Sequence, residues 1–68
     1  MMDGYRLVVA SDVAERDGLG LELYDASGRL VAEIFRDDRS GSRSFTPHSG
    51  TTLPLPILEW FVSEGAKL

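Results

Sequence analysis

His48 and Ser49 are the only base and adjoining hydroxyl in this chain that could be read together as a nucleophilic pair. Adjacency does not supply the chemistry, because the base must reach the hydroxyl while a third group orients the base, and no G-x-S-x-G elbow surrounds Ser49. His48, set between Pro47 and Ser49, reads as an exposed loop histidine. Asp12, Glu15 and Asp17 share one polar stretch, but they lack the D-x-[DN]-x-[DN]-G spacing and the distal glutamate of a calcium loop. Asp37 and Asp38 stand between Arg36 and Arg39, where charge pairing in a turn accounts for them. The chain has no cysteine, which removes disulfides and thiolate zinc sites together. Gly18-Leu19-Gly20 is too short for a phosphate-binding loop and leads into a strand rather than a helix. The seven hydroxyl residues between Ser40 and Thr52 have the composition of two loops and an edge strand. No catalytic, cofactor or metal site is assembled by these residues, and the reading is a non-enzyme that uses no cofactor.

Arginine gives a second kind of chemistry. Arg29, Arg36, Arg39 and Arg43 fall along one stretch, and a β-ribbon carrying such a stripe can enter a nucleic-acid groove. Asp25, Asp37 and Asp38 interleave with them and cancel much of the field, and no aromatic platform of the RNA-binding sheet type is present. The formal net charge of -4 also works against non-specific attraction to phosphate or to an anionic membrane. Nucleic acid is therefore the alternative expectation and protein association the first.

These residues must be positioned by few elements, since 68 residues make one domain, spanning residues 1–68. A hydrophobic content of 43% with one Trp, two Tyr and three Phe is that of a globular chain. The start has no basic segment leading into an apolar one, and the longest uninterrupted apolar run, residues 7–10, is far too short to span a bilayer. The expected address is the cytoplasm, with no membrane partner. Small size and a preference for arginine over lysine suit a bacterial-type protein.

Residues 5–10 form a compact β-branched and apolar run that predicts a first strand. Residues 11–18 read either as a long hairpin loop or as a strand extension with a bulge. Leu19, Leu21 and Leu23 alternate with Gly20, Glu22 and Tyr24, and residues 30–35 alternate again, so the two runs predict a hairpin. A two-residue loop at Ser27-Gly28 and a four-residue loop over 26–29 both set Leu23 opposite Ala32 and Leu21 opposite Ile34. The same registers place Glu22 against Glu33, a pair that needs Arg6 or Arg43 between its members. A second hairpin, closed around Ser40-Gly41, sets Asp38 against Arg43 and puts Phe45 on the face of Ile34. Pro47 and Gly50 end that strand. A helix starts near Pro54, with Pro56 in its first turn, and stops at Gly65. The expected fold is α+β, a small antiparallel meander of three to four strands followed by one C-terminal helix packed on one face.

That helix is apolar over more of its circumference than one core requires. At about 100° per residue, Leu55, Leu58 and Val62 form one stripe, and packing it onto Leu21, Leu23, Ala32, Ile34 and Phe45 satisfies a core. Ile57, Trp60 and Phe61 are then left on the helix flank, and Tyr24, Val31 and Phe35 on the opposite face of the sheet. Unpartnered aromatic surface of this kind marks an interaction site. Burial of the whole arc in a monomer, with the first strand folded over part of it, is the competing account. A single domain this small has little core of its own, and the expectation is association with a second copy as a homodimer, or with another protein, as an accessory or regulatory partner of a larger one.

Overall fold

The computed structural model describes residues 4–12 and 17–68. Four strands, β1 (Arg6–Asp12), β2 (Gly18–Tyr24), β3 (Leu30–Asp37) and β4 (Arg43–Pro47), precede one helix, α1 (Leu55–Gly65). The strands pair antiparallel in the order β1-β2-β3-β4, so the sheet is a plain meander with β1 and β4 at its edges. The fold is α+β, as the alternation and the late proline-led helix require. The choice between a loop and a bulged extension over 11–18 falls largely on residues 13–16, outside the described residues.

The first hairpin holds the expected register by an unexpected route. Asp25 and Arg29 close a three-residue loop, with the Asp25 N–H donating to the Arg29 carbonyl at 3.0 Å and the Gly28 N–H to the Asp25 carbonyl at 2.9 Å. Gly28 takes the left-handed conformation that such a loop needs at its last position (φ 86°). A three-residue loop pairs Tyr24 with Leu30, one position out of step with the alternation. A bulge then restores the step, because Val31 is an extra residue and Leu23 again faces Ala32, Leu21 faces Ile34 and Glu22 faces Glu33.

The second hairpin departs from expectation by two residues. Asp37 closes it, donating its N–H to the Ser42 carbonyl and accepting the Gly41 N–H, while its carboxylate takes the Arg39 N–H at 2.7 Å. Gly41 supplies the left-handed position (φ 73°). The loop therefore occupies 38–41, and Arg43 faces Arg36 rather than Asp38. A shift of two preserves the faces, so Phe45 lies on the face of Ile34 as expected, although directly opposite Ile34 rather than opposite Arg36.

Helix α1 begins without a side-chain cap; the Pro54 carbonyl accepts the N–H groups of Ile57 at 3.0 Å and Leu58 at 3.2 Å. Pro56 sits in the first turn, where a missing N–H costs no helical bond. The helix crosses the sheet face that holds Leu21, Leu23, Ala32 and Ile34. Its inward stripe is Ile57, Phe61 and Gly65, not Leu55, Leu58 and Val62. Gly65 explains the choice, since a Cβ there would lie 2.5 Å from Ile34 Cδ1. The bare turn brings the helix end down onto β3, which places residues four and eight positions earlier, Phe61 and Ile57, in the core at 0% and 1% exposure.

This phase corrects the expected interface on the helix flank. Ile57 and Phe61 belong to the chain's own core, and Trp60 is half-buried against it with Tyr5, Leu7, Leu53 and Leu68. The other expected group is corrected in the same way. Val31, turned by the bulge, joins the core cluster at 2% exposure. Phe35 is buried against its own sheet, its ring lying where a Gly18 side chain would be, with Cζ 2.5 Å from the position of a Cβ. Tyr24 is half-buried.

Candidate interaction face

Four large apolar side chains are open among the described residues: Val9 on β1, 61% exposed, and three that were expected inside. Leu55 and Val62 on α1 are 63% and 51% exposed, and Phe45 on β4 is 44% exposed. Phe45 reaches over the core edge to meet Phe61 edge-on, with ring centroids 6.2 Å apart. Between β4 and the second half of α1 lies a cleft of about 230 Å³, lined by Ile34, Arg43, Ser44, Phe45, Val62, Gly65 and Ala66. Arg43 is the only charged residue among the described residues of that lining, and its guanidinium donates to the Leu68 main-chain oxygen at 2.5 Å. Among the described residues its lining offers no acid or base that could move a proton, and the cleft is smaller than the roughly 300 Å³ at which small-molecule pockets begin. Its chemistry is apolar contact with one cation at the rim.

The cleft runs along an unpaired sheet edge. The His48 N–H donates to the Val31 carbonyl and the Ser42 carbonyl accepts from Asp37, so even-numbered residues of this segment aim their peptide groups at β3. Arg43, Phe45 and Pro47 therefore aim theirs outward, and Pro47 has no N–H to offer. All five residues of β4 are exposed.

Other sequence candidates lie elsewhere. Arg36 and Arg43 face one another across β3 and β4, Arg39 stands in the turn that joins these strands, and Arg29 lies at the far end of the ribbon. Arg36 pairs with Asp38 at 2.9 Å and Arg29 with Asp25 at 3.8 Å, so three of the four arginines gather at one end and the acids interleave with them. His48 and Ser49 are exposed just past β4, and neither side chain has a hydrogen-bond partner among the described residues. The sheet face away from α1 carries Glu22 against Glu33. Glu22 accepts the Tyr24 hydroxyl at 2.9 Å, which with partial burial holds that phenol above its ordinary pKa. Arg6 stacks on the Tyr24 ring at 4.7 Å, whereas Arg43 projects to the other face and does not separate the two glutamates. Glu33 instead leans over Gly20, whose missing side chain leaves it the space.

Sequence reasoning missed Phe45, Leu55 and Val62 as open surface because two apolar stripes on α1 have equal claims at helical spacing. Gly65 was the available signal, being the small member of the stripe that approaches most closely. Among the described residues, no helix is long and apolar enough to cross a membrane. No protein-family model matches this chain, and no curated protein or solved structure matches it either.

Proposed function

We propose that this chain works by association rather than catalysis, that its first partner is a second copy of itself, and that the face built by β4 and the outer side of α1 makes the contact. The observation that supports this reading is the convergence of Phe45 and Val62, both about half exposed, on one apolar cleft beside an open strand edge. A small monomer gains nothing from holding such side chains in water, and covering them is worth roughly 25 cal/mol per Å². The homodimer then acts as an accessory or regulatory partner of a larger protein, leaving the opposite sheet face for that role. A cysteine-free fold suits the cytoplasm, the compartment this reading assigns, where disulfides are rare.

Val62→Glu tests the face. The position is exposed, so the variant keeps its fold, while a carboxylate in the cleft opposes burial against a partner. Light scattering after size exclusion should show the wild type at twice the chain mass and Val62→Glu at the chain mass. An unchanged mass for the variant would remove this face from the account.

A further inference from the structure

We propose that two copies join by antiparallel pairing of their β4 edges about a two-fold axis through Ser44, continuing the two sheets into one of eight strands. The proposal deepens the association reading and rests on it. Its first support is the hydrogen-bonding inventory of the edge. Arg43 and Phe45 each aim one N–H and one carbonyl outward, and Pro47 offers a carbonyl alone. An axis through Ser44 sets Arg43 of each copy against Phe45 of the other, so every outward donor and acceptor of these two residues is matched in four main-chain bonds. An axis through Phe45 would leave the Arg43 carbonyls facing the missing N–H of Pro47. An axis through Arg43 would draw in Gly41, whose N–H is already given to Asp37. Proline thus fixes the register of the pairing.

The side chains agree with that register. Arg43 and Phe45 lie on the face that carries α1, so each guanidinium comes to lie beside the half-exposed Phe45 ring of the other copy, a favourable cation and aromatic pair. Behind each ring is the cleft with Val62, and the two clefts meet across the axis, where each copy covers the apolar wall of the other. Charge also favours this contact: two chains of net charge -4 repel, and the described residues of this lining include no carboxylate. A foreign strand could use the same two residues of the edge, but only a second copy brings a matching cleft.

The test uses the absence of any cysteine from the chain. Ser44 meets its copy as a non-hydrogen-bonded pair, with Cα atoms about 4.5 Å apart, inside the range a disulfide spans. Ser44→Cys should therefore give a covalent dimer on mild oxidation. Thr46→Cys, on the same face but roughly 14 Å from its copy at about 3.4 Å per residue over four residues, should stay uncrosslinked. Both positions are exposed, so both variants fold, and wild-type circular dichroism checks it. A wild-type dimer in which Ser44→Cys does not crosslink, or in which Thr46→Cys crosslinks equally well, would overturn the two-fold through Ser44 and leave association standing. A wild type that stays monomeric at every concentration would overturn both.

Discussion

Asp25 carries more of the first hairpin than its position in an exposed turn suggests. One oxygen of its carboxylate accepts the Ser27 N–H at 3.0 Å, the Ser27 hydroxyl at 2.6 Å and the Arg29 N–H at 3.0 Å. The hydroxyl bond first, and the main-chain bonds after it, hold the carboxyl below its ordinary pKa. The stabilisation is then fully present above the unfolded value near 3.9 and is lost as the pH falls through that value towards the lower folded one. Thermal melts between pH 6 and pH 2.5 should show the wild type losing more stability towards acid than Asp25→Asn, with the gap between them narrowing. Parallel curves would show that the turn does not depend on the charge. Gly18 acts through space instead, since a Cβ there would lie 2.0 Å from the Arg36 carbonyl and 2.5 Å from Phe35 Cζ. Because one of those atoms is main chain, Gly18→Ala should destabilise by about 2 to 3 kcal/mol, read as a lower urea midpoint. An unchanged midpoint would mean that β2 and β3 can separate at little cost.

The helix phase decides which side chains are core and which are surface. Phe61→Ala empties a fully buried position and should cost about 3 to 5 kcal/mol, most of what a domain this small has to lose. Leu55→Ala, at a site 63% exposed, should change stability by no more than about 0.5 kcal/mol. Equal losses from the two would place the phase elsewhere. This is also where the sequence stopped being readable. The strand pairs were legible because a period of two leaves each strand one apolar face, and Leu21 with Ile34 and Leu23 with Ala32 could pair in no other sense. The faces survived two misread loops because a three-residue turn was compensated at Val31 and a two-residue slip leaves sidedness unchanged. Helix α1 offered no such constraint, since Leu55-Leu58-Val62 and Ile57-Phe61-Gly65 both recur at helical spacing. What separates them is a close approach at Gly65, a property of two elements together that neither segment carries alone. The candidate face was illegible for the same reason.

At the scale of the whole molecule, one helix packs against one face of a four-stranded sheet, and among the described residues nothing pairs with either edge strand on its outer side. Open edges are ordinarily blunted by shortness, charge or proline. Strand β4 has all three, five residues with Arg43 at its start and Pro47 at its end, yet Phe45 stands exposed between them. The proposed pairing with a second copy removes that conflict, with proline setting where the pairing stops. Stability should then depend on protein concentration, the melting temperature rising as dimer forms, and Val62→Glu should abolish the dependence; a melting temperature independent of concentration in the wild type would count against a dimer linked to folding. The most direct measurement is the wild-type solution mass by sedimentation equilibrium over a wide concentration series. The account predicts a reversible approach to twice the chain mass, and a single chain mass at every concentration would contradict it.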